Sequence, residues 1–353
     1  MMQQYAYLKC LNCEEKMVFE QPMDFIYNAR VPWRAVIEVT NLCQLNCIHC
    51  FHDAHGRLDR ELTTNEIFSL ISELKSAGTM QLTITGGEAT LRADIIDIID
   101  YSISNDIKVQ LLSNGQIDLA LLEKLSRFKY KLSVEISLLG VNNTNDQIVQ
   151  KKGAYEKAIN TIKYLHQAGI DVTVNTVVMK QNFLQLNDIS NVLKDLNVKW
   201  SHSPLIYGDY DCLYRLDDLQ LSNYYYAFPD ETKLMSKLSR INYKSVNYDV
   251  GCNAGNTTVL IAANGDVFPC VWLRELKMGN VLNENFTTIW HKNTLDKFVE
   301  FGCKDCLSCA YFPICKRCPA YSYFESGSYS KKPIEWCRQM KAQKEALERH
   351  NEH

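Results

Sequence analysis

Residues 40–51 read ThrAsnLeuCysGlnLeuAsnCysIleHisCysPhe and set Cys43, Cys47 and Cys50 in a C-x3-C-x2-C pattern. A 4Fe-4S cube normally takes four Cys thiolates, so three at this spacing leave one iron without a protein ligand. The next cysteine along the chain is Cys212, too distant in sequence to belong to the same loop. An iron left open in this way can bind and reduce something else. Zinc is the alternative, because it favours four closed ligands, and His49 or His52 could complete such a set.

Upstream of the cysteines, AlaValIleGluValThr (35–40) predicts a strand that ends at the cysteine loop. GlnLeuThrIleThr (81–85), LysValGlnLeuLeuSer (108–113), LeuSerValGluIleSer (132–137), ValThrValAsnThrValVal (172–178) and TrpSerHisSerProLeuIle (200–206) predict five more. Amphipathic stretches lie between them. Residues 63–78 open on a capping signal and close on Gly78, and residues 153–169 close on Gly169. Strand and helix alternating in this way predict an α/β fold of parallel βα units, a partial (β/α)6 TIM-like barrel over residues 34–208. Function in such barrels gathers at the C-terminal ends of the strands. The cysteine loop follows the first strand and so belongs to that face.

The remainder divides by composition. Residues 1–33 form an N-terminal extension with its own CxxC, Cys10 and Cys13, to which no motif corresponds. Residues 209–250 are acidic and tyrosine-rich, with Tyr224, Tyr225 and Tyr226 in a row, and read as a linker holding one or two helices. Residues 251–337 hold eight of the fourteen cysteines and read as a small, separate cysteine-rich iron–sulfur domain. Residues 338–353 have helix-forming composition and predict a fraying surface helix.

Bulk properties narrow the classes of function. With 46% hydrophobic residues in 353, the chain can bury a large core. A net charge of -3 and no basic block argue against nucleic acid as a partner. No apolar run approaches the ~20 residues of a membrane span. There is no secretory signal, so clustered cysteines read as metal ligands in a reducing cytoplasm rather than as disulfides.

Further motifs stand at the other strand ends. Gly86, Gly87 and Glu88 follow the second predicted strand, where paired glycines allow close backbone approach and a carboxylate can accept from an ammonium. Ser113, Asn114 and Gly115 end the third, Ser137 ends the fourth in IleSerLeuLeuGly, and Asn175 and Asn182 lie in and after the fifth. Together these residues resemble the radical S-adenosylmethionine (SAM) superfamily across 34–208. The resemblance implies that SAM chelates the open iron and that an electron from the cluster cleaves it to a 5'-deoxyadenosyl radical, which abstracts a hydrogen atom. It also implies that Gly86, Gly87 and Glu88 hold the methionine ammonium, with Ser113, Asn114, Ser137 and Asn175 around the cofactor. Two departures stand out. The stretch Asp146–Val149 lacks the Arg that relatives often carry after it, which passes the SAM carboxylate to Lys151 or Lys152, and Ala89 and Thr90 replace the usual Pro.

Cys252, twelve residues, Gly265, four residues and Cys270, followed by Cys306-x2-Cys309-x5-Cys315, Cys318 and Cys337, resemble the SPASM extension of this superfamily. The resemblance implies one or two auxiliary 4Fe-4S clusters. Cys306, Cys309, Cys315 and Cys337 would hold an outer cluster, and Cys252, Cys270 and Cys318 an inner one. The fourth inner ligand would be Cys303 or Cys212, or that iron stays open. Relatives usually separate the last pair by three residues, whereas Cys315 and Cys318 are separated by two. A zinc ribbon is the alternative for these CxxC pairs.

SPASM-bearing enzymes mostly modify ribosomally made peptides, so the expected activity is a radical SAM oxidoreductase that crosslinks or epimerises a peptide. An external donor of the flavodoxin or ferredoxin type would supply electrons. Val271 stands where anaerobic sulfatase maturases carry an Asp base, which counts against that reaction. Cys212 is a candidate hydrogen-atom donor for epimerisation, or a buried or ligating thiol. Only 42 residues precede Cys43, so leader recognition would fall to a separate protein, or the substrate lacks a leader. A dehydrogenase or maturase acting on a small molecule or cofactor precursor is the second expectation, and a non-catalytic iron–sulfur or zinc protein the third.

Overall fold

A computed structural model describes residues 22–51, 58–207, 213–229, 252–292, 303–311, 315 and 317–351. Nine strands form one sheet: β1 Arg34–Glu38, β2 Gln81–Thr85, β3 Lys108–Ser113, β4 Leu132–Ser137, β5 Asp171–Val177, β6 Lys199–Ser203, β7 Thr258–Ile261, β8 Asp266–Phe268 and β9 Gly279–Asn280. The helices are α1 Pro22–Asn28, α2 Thr64–Ser76, α3 Ile95–Ser104, α4 Leu119–Leu125, α5 Asn143–Val149, α6 Ala154–Gln167, α7 Leu186–Asp195, α8 Asp218–Ala227, α9 Phe286–Lys292, α10 Lys304–Leu307, α11 Pro319–Ser326 and α12 Ile334–Asn351.

The spatial order β6-β5-β4-β3-β2-β1-β7-β8-β9 shows a barrel that does not close. β1 to β6 run parallel in sequence order, each reached through a helical crossover. One face of each of β1 to β5 is apolar and sits under the helices: Ala35 and Ile37, Leu82 and Ile84, Val109 and Leu111, Val134 and Ile136, Val172 and Val174 are all buried there. The other face turns inward and is polar, carrying Glu38, Thr83, Gln110, Glu135 and Asn175. These link across strands, with Gln110 Nε2 donating to Glu135 Oε2 at 3.3 Å and Asn175 Nδ2 to Glu135 Oε1 at 3.1 Å.

α2 shows how local sequence fixes an element. Thr63 caps it, accepting from the Glu66 amide while the Glu66 carboxylate returns to the Thr63 N–H. Ile67, Leu70, Ile71 and Leu74 then recur at helical spacing and are buried.

The C-terminal region is joined to the barrel through the sheet. β7 pairs parallel with β1, register Arg34 to Thr258, so the region continues the barrel's own sheet before turning back through antiparallel β8 and β9. Its α9 joins the main core through Phe286, Ile289 and Trp290. The terminal helix differs from a fraying surface element. α12 begins before residue 338 and buries Met340, Ala342 and Ala346. It lies against α8, where Tyr225 Oη donates to Gln339 Oε1 at 2.5 Å and Arg338 Nε to Asp218 Oδ1 at 2.8 Å. Charged residues on its outer face masked an inner apolar stripe.

Candidate metal and cofactor site

After β1 the chain passes through Val39 and Thr40 into the loop that carries Cys43, Cys47 and Cys50. The loop is held from two sides. Toward β2, Val39 N donates to Thr85 O at 2.9 Å, Gly87 N to Thr40 O at 2.9 Å and Glu88 N to Leu42 O at 2.7 Å. Toward α5, Ile48 N donates to Ile148 O at 3.0 Å and Asn46 Nδ2 to Gln150 Oε1 at 2.7 Å. The glycines are required by contact: a Cβ on Gly86 would strike the Thr40 carbonyl, and one on Gly87 the carbonyl of Leu42, whose carbon lies 2.7 Å away.

Glu88 is only 2% exposed. Its Oε2 accepts from Asn114 N at 2.7 Å, and its Oε1 accepts from Thr90 N at 3.1 Å and Thr90 Oγ1 at 2.6 Å. Burial pushes its pKa up, and the bonds from Asn114 and Thr90 oppose that. The same Asn114 reaches the cysteine loop, with Nδ2 3.7 Å from Cys43 Sγ and 3.3 Å from Gln44 Oε1. Three stretches far apart in sequence therefore meet through one asparagine. Thr90, which stands where relatives have Pro, fixes the carboxylate through both its amide and its hydroxyl.

Burial raises the Cys43 thiol, and it pushes Cys47 up to about 12 with help from the neighbouring Cys50 and Cys43. Such thiols hold their protons until a cation draws them off, which couples metal loading to proton release. The His49 imidazole is held neutral by burial, with its pKa near 4, and its Nδ1 has no hydrogen-bond partner.

The other expected cofactor residues are placed differently. Ser137 ends β4 opposite Asn175, exposed at the rim. Asn175 turns to Glu135, below the rim. Asn182 is buried and ties a loop, donating to Leu139 O at 2.9 Å and Val177 O at 2.8 Å. Lys152 is exposed. Cys10, Cys13, His52 and Cys212 lie outside the described residues.

The C-terminal cysteines fall into two groups. Cys270 is pushed up to about 12 by burial and then by Cys252 and Cys318, which brings these three together. Leu273, Ala254 and Ala320 pack around them. Cys306, Cys309, Cys315 and Cys337 line a small cavity with Arg317 and Trp336. Cys337 reaches it from α12. The resemblance leaves the fourth inner ligand to Cys303, to Cys212 or to no residue. In the structure Cys303 is joined to Cys306 as a disulfide, because C-x2-C at the start of a short helix brings those two sulfurs together. Cys303 thus stands with the outer group, and Cys306 becomes a free thiol only on reduction. Among the described residues, no three His, Cys, Asp or Glu side chains are arranged to hold a single metal ion.

Several contributors carry no motif. Phe51, beside Cys50, meets Tyr207 edge-on at 6.0 Å, and Tyr207 stacks on Trp272 at 5.7 Å and donates to its carbonyl. Trp272 is two residues past Cys270, so aromatic rings bridge the rim loop and the inner cysteines. Arg274 pairs with Glu38 of β1, which is 5% exposed. This ion pair crosses the same gap from below. Only the aromatic content around Cys270 hinted at these roles. A cleft lined by Lys108, Lys131, Asp171 and Lys199 opens at the N-terminal ends of the strands, away from every described cysteine.

The donor sets suit the groups implied. Thiols stand in one set of three at the rim and two sets behind it, a glycine turn leaves no room for a Cβ, and a buried carboxylate faces the loop. The buried Trp336 Nε1, without a partner in the protein, opens on the outer cysteines. Comparison with known proteins agrees. Residues 37–193 match the family described as the radical SAM superfamily, and residues 252–319 match the SPASM iron-sulfur cluster-binding domain. The chain is 28% identical to the AdoMet-dependent heme synthase of Methanosarcina barkeri, over 83% of this chain and 92% of that one. It is 26% identical to the antilisterial bacteriocin subtilosin biosynthesis protein AlbA of Bacillus subtilis, over 76% and 61% respectively. Among solved structures, Streptococcus suis SuiB bound to S-adenosylmethionine has the same fold, with a TM-score of 0.70 at 20% identity, covering 87% of this chain and 77% of that one. With the cysteine loop, the Gly86–Glu88 turn and the C-terminal thiols on the page, the chain carries a radical SAM domain over residues 37–193 and a SPASM domain over residues 252–319.

Proposed function

We propose that this chain binds SAM on a rim cluster held by Cys43, Cys47 and Cys50 and modifies a peptide by hydrogen-atom abstraction. The observation that carries the reading is the Cys43–Asn114–Glu88 connection, which sets a buried carboxylate beside a three-thiol loop. Gly86 and Gly87 let the backbone lie against the cofactor, and Glu88, its rotamer set by Asn114 and Thr90, supplies negative charge for the methionine ammonium. Ser113 and Ser137 line the same rim, and Asn175 orients Glu135 beneath it. Lys152 is exposed and close in sequence to the α5 end that braces the loop, so it serves the SAM carboxylate. When bound, SAM and the cluster supply one-electron radical chemistry. The chain's part is to hold three irons, orient the ligand and keep water from the barrel's mouth. Phe51, Tyr207 and Trp272 serve that last role.

Two auxiliary clusters are assigned here, one on Cys252, Cys270 and Cys318, the other on Cys306, Cys309, Cys315 and Cys337 once the disulfide is reduced. Support for a peptide substrate comes from the likeness to a bacteriocin biosynthesis protein. A second reading, a maturase of a cofactor precursor, rests on the likeness to the heme synthase, which spans 92% of that relative. An external flavodoxin or ferredoxin would donate the electron, and a separate protein would present a leader.

Anaerobic reconstitution with iron, sulfide and a dithiol, followed by SAM and dithionite, is expected to give 5'-deoxyadenosine. Full iron loading without that product refutes the enzyme readings and leaves a non-catalytic iron–sulfur or zinc protein. The C43A/C47A/C50A variant is expected to lose the product while keeping the auxiliary iron. A short peptide encoded beside the gene should then change mass or take up deuterium from heavy water. Turnover of a small-molecule precursor alone would favour the second reading. For an epimerisation, C212A is expected to keep SAM cleavage and lose deuterium uptake.

A further inference from the structure

Two glutamates on the strands face into the barrel, and they are partnered in opposite ways. Glu38 of β1 is met by the guanidinium of Arg274, with Nη1 3.2 Å from Oε2 and Nη2 on Oε1. Glu135 of β4 is met only by amides: Gln110 Nε2 donates to its Oε2 at 3.3 Å and Asn175 Nδ2 to its Oε1 at 3.1 Å. Thr83 Oγ1 donates to Gln110 Oε1 at 3.4 Å and so turns that amide nitrogen toward Glu135. One N–H on each oxygen is the pattern an ionised carboxylate accepts, and it leaves about two of its four lone-pair sites without a described partner.

No cation among the described residues answers that charge. Arg34, Lys108 and Lys199 share the inward face, but each stands at the start of its strand. Arg34 Nε donates to Gln81 Oε1 at 3.2 Å, and Lys108 is four residues below Leu112, the register partner of Glu135. Lys199 lies two strands from Glu135 in the same register, yet its Nζ turns to Asp171 Oδ1 at 2.7 Å. Glu135 is half-buried, and a carboxylate taken from water in this way is costly until an opposite charge reaches it. Its place is one from which a group beneath SAM can be held: Glu135 is two residues, about 7 Å of strand, below Ser137 at the rim.

We propose that Glu135 is a specificity-determining residue that holds a cationic group of the peptide substrate, a lysine ammonium or an arginine guanidinium, inside the barrel beneath SAM. The inference rests on the peptide reading above and names a side chain which that reading leaves open. Gln110 and Asn175 fix the carboxylate from either side, and its remaining lone pairs accept N–H donors from the cation. An acidic side chain at the same place would meet a like charge with no described cation to offset it.

The test is calorimetric titration of the reconstituted full chain, with SAM present, by the blocked peptides acetyl-Gly-Gly-X-Gly-Gly-amide in which X is Lys, Arg, Gln or Glu. The unmodified chain is expected to bind the Lys and Arg peptides about tenfold more tightly than the Gln peptide, and the Glu peptide least. E135Q, E135D and E135K are compared after a check of iron content. E135Q is expected to bind the Lys, Arg and Gln peptides alike, E135D to keep the order of the unmodified chain, and E135K to favour the Glu peptide. A Lys and Arg preference that survives in E135Q, equal binding of all the peptides by the unmodified chain, or no binding of any at millimolar concentration overturns the proposal and leaves the peptide reading to the precursor-peptide assay above. Turnover of a small-molecule precursor alone refutes that reading itself.

Discussion

At the rim, three cysteines within eight residues hang on one loop that β2 and α5 hold from either side. In the C-terminal region the thiols come from segments spread over residues 252–337 and converge only through β7, α11 and α12. The rim loop is held by backbone hydrogen bonds that exist without any metal. The C-terminal thiols are raised by burial and by one another, as those at the rim are, but no single backbone-braced loop gathers them. One site is made by the sheet, and the other is completed by what it binds. That difference can be broken at several points.

The largest effect is expected at the glycine turn. G87A places a Cβ against the Leu42 and Asn41 carbonyls, whose atoms are backbone and cannot rotate away. Overpacking of this kind costs about 3 kcal/mol. It displaces the cysteine loop, so the rim should lose its iron while the C-terminal thiols keep theirs. Iron quantitation with and without the C43A/C47A/C50A background, beside denaturant unfolding, measures both. Equal loss at both sites would mean that they are not independently built.

The next effect joins the two regions. Glu38 is buried on β1 and Arg274 is 31% exposed, and their ion pair ties the segment between β8 and β9 to the barrel. Leaving one member of a fully buried pair alone costs ~3–5 kcal/mol, and partial exposure of the arginine lowers that to about 2 kcal/mol. E38A should therefore destabilise the chain by about that amount in urea and loosen residues 266–280 in hydrogen exchange. A double variant, E38A with R274L, should recover part of the loss. No recovery would assign the cost to packing instead of charge.

The same contrast explains what was legible in the sequence. The first five barrel strands are placed to within about a residue or two and the end of the sixth to within three, because β-branched runs, capping residues and glycines recur at fixed offsets there. The rim cysteines and Glu88 were legible because each follows a strand end. The joining of the two regions was not. β7 is four residues of ordinary apolar sequence, and nothing in ThrValLeuIle says that it will pair with β1. Asn114 as the connecting residue, Arg274, Tyr207 and the inner stripe of α12 likewise depend on partners 26 to 236 residues away or on which face a helix turns inward. The fourth ligand of the inner group stays open in the sequence for the same reason. Spacing shows which cysteines are neighbours along the chain, not which group they face.

An acid limit is expected from the barrel edge. His202 on β6 is buried, with Nδ1 2.7 Å from Tyr224 Oη of α8, and burial lowers its pKa to about 4 from 6.5. A histidine held neutral stabilises the fold above the unfolded pKa, and that contribution is lost as pH falls from 6.5 toward 4. The loss is about 1.4 kcal/mol per pH unit in that window. Urea midpoints at pH 7 and pH 5 should show it, and H202Q should flatten the dependence at some cost at pH 7. A pH response unchanged in H202Q would move the cause to other groups.

The smallest effect on stability is expected at Trp336, and it bears most directly on whether the C-terminal region is completed by its ligand. The indole Nε1 is buried without a hydrogen bond in the protein, although it lies near enough to Cys315 to offset part of the burial that pushes that thiol up to about 11. A buried N–H without an acceptor costs about 1–3 kcal/mol, so an acceptor arriving with the metal would repair it. W336F removes the donor and keeps a ring against Tyr321, whose centroid is 5.7 Å away. The apo chain should then be nearly as stable as before, within about 1 kcal/mol, because the lost group was unsatisfied there. The loaded chain should differ: hydrogen bonds to cluster sulfur raise reduction potential, so W336F should lower the outer midpoint and leave the inner one in place. If W336F destabilises apo and loaded chains alike, the indole is packing only, and the outer site is as fully formed before metal as the rim.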